Sequence, residues 1–419
     1  MTLTPRHLLP LGRDLLATFP AVVVQGARQV GKSTFAAMLT EARAHHTVTL
    51  DHEPTRTTAL DDPHAFVTQY PERTLVIDEI QRAPQLLLAI KAAIDADRRP
   101  GRFLLTGSSE LLRTGRAPDS LAGRAVSLHL HGFSQGELAG QREDFAHWLR
   151  HLPRNPQGLR SDWTRRDYVN ALARGSFPEL GGLDQRMRHH WLDSYVERLL
   201  QRDAAEVAPR LRSDRLPAVL SLIAANQAGE LVRTRVAEHL ELSASSVEPY
   251  LSTLDALYLT SALRAWGPNL TKREVGRRKV SVTDSALALR LLRQHPDGLL
   301  DLTAATQLGP HIEAFVAAEL LRQQAWSQEE FSLYHFRDRD GIEVDLVIEF
   351  ADGAVFLIEV KATESYRAQH LHGIRTLAER LGDRFLGGAV LGLAHDSHQL
   401  GERLWAFPIS ALWQAAGTD

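Results

Sequence analysis

Two groups of residues in this chain have the types and spacing of chemical sites. The first is Gly26-Ala27-Arg28-Gln29-Val30-Gly31-Lys32-Ser33-Thr34. Two glycines separated by four residues let backbone N–H groups curl around an anion, and an ammonium and a hydroxyl follow at once. Lys32 would neutralise phosphate oxygens, and the Ser33 hydroxyl would hold Mg²⁺. An apolar strand before the loop and a helical stretch (Phe35 to Glu41) after it place the anion at a helix N-terminus. Downstream, Leu75-Val76-Ile77 runs into Asp78 and Glu79. Asp78 would hold Mg²⁺ through water, and Glu79 would polarise the attacking water. A further apolar run ends in Thr106 and Ser108, hydroxyls placed to sense a γ-phosphate or hold the lytic water. Arg124, just ahead of the next apolar run, could reach a neighbouring subunit's nucleotide and stabilise transition-state charge, with Arg116 as its rival. The ligands expected here are ATP and Mg²⁺.

The second group lies near the C-terminus. Glu313 falls in the first turns of a helical stretch, Asp345 lies in the alternating run Glu343–Glu349, and Glu359-x-Lys361 ends the following apolar run. Side chains two apart on a strand share a face, so Glu359 and Lys361 point the same way. Three carboxylates and an amine would then converge. Oxygen-only ligands favour Mg²⁺ or Mn²⁺, which would generate hydroxide against a phosphodiester while Lys361 orients the water.

The elements that must carry these residues follow from periodicity. Apolar strands separated by helical stretches in the N-terminal third imply a parallel sheet with helices on both faces. Residues 1–139 are expected to form that domain, 140–225 a helical lid or connector, 226–300 a winged-helix module, and 301–419 a second α/β domain. In the module, a helix is predicted over Glu230–Leu242 and another from Ser243, whose hydroxyl caps it; Val247, Leu251, Leu254 and Leu257 recur at helical spacing. Tyr258–Trp266 and Lys279–Thr283 would pair as a wing. The tip between them carries Lys272, Arg273, Arg277, Arg278 and Lys279, candidates for DNA phosphates. The second helix presents Ser and Glu, so backbone or shape recognition is expected over base readout.

The 419 residues carry a net charge of −3, which leaves nucleic-acid contact to local patches. No cysteine is present, excluding disulfides, thiolate metal sites and a cysteine nucleophile. No apolar run is long enough to span a bilayer, and no secretory segment is recognised, so a cytoplasmic location is expected. Only five basic residues are lysines (Lys32, Lys91, Lys272, Lys279, Lys361), the rest being arginine; lysine then marks places where a guanidinium does not serve. The 19 histidines show no zinc-protease spacing and are expected on the surface.

Taken together, Gly26–Thr34, Leu75–Pro84, Leu104–Ser109, Ser120–Arg124, Gly175–Glu179 and the C-terminal motifs make the chain resemble AAA-type P-loop ATPases of bacteria and archaea with a C-terminal restriction-endonuclease-like domain of unknown function. The resemblance implies that Asp78 and Glu79 are the Walker B pair, Ser108 lies near the sensor position and Arg124 is an arginine finger. The strand ending Leu-Leu-Thr-Gly-Ser departs from the Asn-ended sensor of many AAA proteins. The expected protein is an ATP-driven remodeller of duplex, forked or branched DNA with a nuclease-like domain, acting as a homo-oligomer, for which the resemblance suggests a hexameric ring as in many AAA assemblies. The alternative is a nucleotide-gated regulator whose winged helix and inactive nuclease-like domain bind a protein.

Overall fold

The computed structural model describes residues 3–107, 121–152, 159–267, 273, 276–301 and 305–415. Five strands form the N-terminal sheet: β1 (Ala21–Gln25), β2 (His45–Thr49), β3 (Thr74–Asp78), β4 (Phe103–Gly107) and β5 (Ala125–His129). They lie in the order β2-β3-β4-β1-β5 and every pairing is parallel. β1 and β4 are buried along their whole length and β3 nearly so, because helices cover both faces. Alternation sorts their side chains. Ala21, Val23, Leu75, Ile77, Phe103 and Leu105 pack with Ile90 and Ile94 of the helix Leu86–Ala96. Val22, Val24, Val76 and Leu104 face Phe35 and Leu39 of the helix Lys32–Thr40. A parallel sheet puts all C-terminal strand ends on one edge, where the Gly-rich loop leaves β1 and Asp78 ends β3.

The rest of the chain builds a nine-stranded sheet from β6 (Gly229–Glu230), β7 (Thr260–Ala265), β8 (Lys279–Val282), β9 (Phe331–Arg337), β10 (Glu343–Phe350), β11 (Val355–Val360), β12 (Phe385–Gly392), β13 (His398–Gly401) and β14 (Leu404–Pro408). Its order is β13-β14-β12-β11-β10-β9-β7-β8-β6. The expected wing is the antiparallel pair β7–β8. It does not stand free: β7 joins β9 in parallel through Arg264↔Tyr334 and Ala265↔His335, and the Trp266 N–H donates to the His335 carbonyl at 2.6 Å. Beyond the joint run the helix Ala305–Gln323, β9, β10, β11, the helix His372–Leu381 and β12, in the helix and strand order the sequence suggested.

Three expectations need correction. Residues 229–230 pair with β8, so the helix expected over 230–242 is confined to Arg233–His239. The connector is split by packing. Phe145, Leu149, Tyr168 and Leu172 belong to the C-terminal core with Phe315, Phe407 and Trp413, whereas Leu192, Tyr195, Leu199 and Leu220 pack with Phe35 and Leu39 of the N-terminal domain and with Val236, Val247 and Leu254. His311 and His335 are buried rather than superficial; His335 Nε2 bonds the Arg277 carbonyl at 2.9 Å. Among the described residues, no helix is long and apolar enough to cross a membrane.

Candidate functional site

The Gly-rich loop needs its glycines where they stand. Gly26 has φ 154°, and a Cβ there would lie 2.2 Å from the Leu130 carbonyl oxygen; Gly31 has φ 92° at the helix start. The Lys32 ammonium is buried and donates to the Gly26 and Ala27 carbonyls at 3.1 and 2.8 Å. Burial pushes it down to about 8, opposed by Glu79 and Asp78. The Ser33 hydroxyl donates to both Asp78 carboxylate oxygens, at 3.0 and 3.1 Å. Thr106, at the end of β4, also donates to Asp78, and its oxygen accepts from the Glu79 N–H at 3.3 Å. Thr106 therefore sets both acids. Glu79 sits in the left-handed region at φ 57° and accepts from the Gln81 amide; burial raises its carboxyl above the ordinary range. A hydroxyl and an acid facing each other beside the loop fit a hard divalent ion, which Ser33 and Asp78 would hold.

Helical elements close over the loop. Arg28 Nε pairs with Asp203 Oδ2 at 2.6 Å, and the Tyr195 hydroxyl donates to the Arg28 carbonyl at 3.3 Å. Asp203 ends a π-helical turn, Leu199–Asp203, set within the helical run 185–207. Arg82 reaches Asp51 and, at 3.3 Å, Glu206. These ties were not foreseen: nothing in sequence marks one acid among many as the partner of Arg28. Arg124 forms a two-pronged pair with Asp95 of its own chain, at 2.7 and 2.9 Å. Ser108 and Arg116 lie outside the described residues.

At the C-terminal group, β10, β11 and the helix Ala305–Gln323 bring Glu313, Asp345, Glu359 and Lys361 together. Lys361 Nζ lies 2.7 Å from Glu359 and 3.3 Å from Asp345, and the Val360 N–H donates to Asp345 at 2.8 Å. Glu343, two residues before Asp345 and on its face, is an added member. Lys279 corrects the reading of the wing. It is 4% exposed, and its ammonium lies 2.7 Å from Glu313, 2.9 Å from Glu343 and 3.7 Å from Asp345. It is no phosphate contact. Burial and Asp345 raise Glu313 and Glu359, while Glu313 and Asp345 hold Lys279 firmly protonated against its burial. These residues, as arranged, do not fit a divalent metal, because an ammonium already stands among the acids. Arg273 also leaves the DNA set: it grips Glu349 at 2.5 and 2.9 Å beside the rings of Trp266 and Tyr334. Arg277 and Arg278 are exposed, and Lys272 lies outside the described residues. A separate grouping, His147, His151 and Glu329, has metal-ligand types, but Arg150 already lies 3.3 Å from Glu329.

Comparison with known proteins gives the N-terminal domain its type. A family model described as an AAA domain matches residues 18–139. Two domains of unknown function match 165–298 and 308–412. Uncharacterized proteins of Mycobacterium tuberculosis and Mycobacterium bovis are each 27% identical over 353 residues, covering 84% of this chain and 73% of theirs. Among solved structures, a Walker-type ATPase of Pyrococcus abyssi overlaps 69% of this chain and 96% of its own, at 15% identity and a TM-score of 0.40. AMPPCP-bound DnaA of Aquifex aeolicus overlaps 76% and 92%, at 12% identity and a TM-score of 0.29. Residues 18–139 are thus an AAA-type P-loop ATPase domain, in motif and in family match.

Proposed function

We propose that the chain is a DNA-processing ATPase of the AAA type. The observation that carries the hydrolytic half is the constellation at the strand ends: Lys32 in the loop, Ser33 facing Asp78, and Thr106 setting Asp78 and Glu79 together. Lys32 would exchange its loop carbonyls for β- and γ-phosphate oxygens. Mg²⁺, when bound, supplies charge neutralisation between the β- and γ-phosphates. Glu79, with its raised carboxyl, would accept the proton of the water that attacks the γ-phosphorus as the bond to the β-phosphate oxygen breaks, releasing ADP and phosphate. Arg124 would leave Asp95 to enter a neighbouring subunit's site in a homo-oligomer, a hexameric ring being the expected form in the cytoplasm. Movement would reach the winged helix through Asp203 and the helical run 185–207, and the exposed Arg277 and Arg278 would meet DNA phosphates.

A regulatory reading, in which a restriction-endonuclease-like domain is kept as a scaffold and the winged helix binds a protein, is favoured by one observation: Lys279 among the acids that would otherwise cut. Phosphate release measured against single-stranded, duplex, forked and four-way DNA separates the two. A DNA remodeller is stimulated by at least one of these, and Arg277→Glu with Arg278→Glu lowers that stimulation. A flat response to every DNA favours the regulator. Lys32→Ala abolishes turnover in either case, and Glu79→Gln slows it by at least about 100-fold. Unchanged phosphate release by Lys32→Ala would remove the ATPase itself.

A further inference from the structure

We infer that the C-terminal carboxylate cluster takes its cation from within the chain: the ammonium of Lys279 fills the place of a divalent metal and pins the wing to the C-terminal sheet. Lys279 comes from β8, a strand of the winged-helix module, and crosses to acids on β10 and on the helix Ala305–Gln323. It is the only residue of β8 to do so among the described contacts, and it is almost wholly withdrawn from water.

The geometry separates an ammonium site from a metal site. A hard divalent ion draws carboxylate oxygens to about 2.0–2.6 Å and needs six or more oxygens, several of them from water. Here the oxygens of Glu313 and Glu343 stand at 2.7 and 2.9 Å from a nitrogen, the ordinary distance for a charge-assisted hydrogen bond. Asp345 divides its two oxygens between two ammoniums. Oδ1 lies 3.7 Å from Lys279 and Oδ2 lies 3.3 Å from Lys361. A metal between Glu313 and Asp345 would face Lys279 at close quarters, with little water to screen the like charges. A compact ammonium with three donors suits carboxylates arriving from three directions better than a planar guanidinium, and in a chain that otherwise writes arginine this position is lysine.

The joint explains what the lysine does there. β7 meets β9 through two residue pairs only. Lys279 on one side, and Arg273 on Glu349 on the other, are two charged links across that short seam. Removing Lys279 would take from Glu313 its ion-pair partner and leave the half-buried cluster one positive charge short, which is costly unless another cation enters.

The inference goes beyond the ATPase reading and does not depend on it. It is tested by Mn²⁺ binding to the full-length, nucleotide-free protein, followed by electron paramagnetic resonance of free Mn²⁺, up to about 1 mM, the weak end of protein sites for hard cations. The wild-type chain is expected to show no Mn²⁺ binding that Asp345→Asn removes. Lys279→Gln is expected to gain a single Mn²⁺ with a dissociation constant of about 0.1 mM or below, and to lose it again when Asp345→Asn is added. Wild-type binding abolished by Asp345→Asn overturns the inference, as does a folded Lys279→Gln protein that gains none. If Lys279→Gln does not fold, the wild-type arm decides alone, with its thermal midpoint in Mn²⁺ as the second readout: a rise that Asp345→Asn cancels counts against the inference, and no rise supports it.

Discussion

Lys32 is held by the carbonyls of Gly26 and Ala27, and burial has brought its proton affinity down to about 8. Triphosphate oxygens bind the protonated amine better than the neutral one, so the complex holds more protons than the free protein. The sign follows. A group depressed in the free protein loses its proton as pH rises through about 8, and ATP association then weakens with pH. Below about pH 7 this group contributes no slope; above about pH 8 affinity falls by up to about tenfold per unit. Titrating a fluorescent ATP analogue from about pH 6 to about pH 9 checks this, and Lys32→Ala should flatten the upper limb. A wild-type curve that is flat above pH 8 would mean the ammonium is not used. At this scale the sequence was most legible where chemistry dictates spacing: Gly26 to Ser33, then Asp78 and Glu79. It was least legible where a side chain's partner lies far along the chain. Lys279 and Arg273 fall in a basic stretch that reads as a phosphate contact, and only the folded sheet turns them inward onto Glu313 and Glu349.

Among the elements, the strands were readable because burial on both faces demands unbroken apolar runs, as in β1, β3 and β4. The joint between β7 and β9 was not, because two parallel residue pairs leave no periodic trace. Nor was the π-helical turn Leu199–Asp203, whose sequence is ordinary helix. Such turns are uncommon and recur at functional positions. Here the turn brings Asp203 to Arg28 in the nucleotide loop, and burial raises the Asp203 carboxyl while Arg28 holds it down. The run 185–207 is therefore positioned to follow the loop when nucleotide enters. Asp203→Ala should leave the fold intact and lower kcat by about tenfold or more, while ATP affinity changes by less. Proteolysis with and without ATP should show nucleotide-dependent protection of this run in wild type and none in Asp203→Ala. Equal loss of affinity and kcat would instead make Asp203 a part of the binding loop alone.

For the whole molecule, the division into domains by sequence and by packing differ, and the difference bears on how motion could travel. Phe145, Leu149, Tyr168 and Leu172 fall in the segment expected as a lid or connector but belong to the C-terminal core, whereas the helical run 185–225 and the helices Arg233–His239 and Ala244–Ala256 share one core with the Lys32–Thr40 helix. Nucleotide state thus has a packed route to the wing, and the wing is tied to the C-terminal sheet. Among the described residues, Arg28 is paired with Asp203, Arg82 with Asp51 and Glu206, and Arg124 with Asp95. The Arg124 pair is releasable, since Asp95 is exposed and solvent-screened surface pairs contribute little. If Arg124 acts across a subunit boundary, Glu79→Gln and Arg124→Ala damage different members of each interface. Each variant alone should hydrolyse ATP at least about 100-fold more slowly than wild type. Mixed, they regenerate interfaces in which an intact Glu79 on one subunit meets an intact Arg124 on the next, so activity should return to a sizeable fraction of wild type. A mixture as inactive as its components would place the arginine's action within one chain and remove the case for a ring built around this contact.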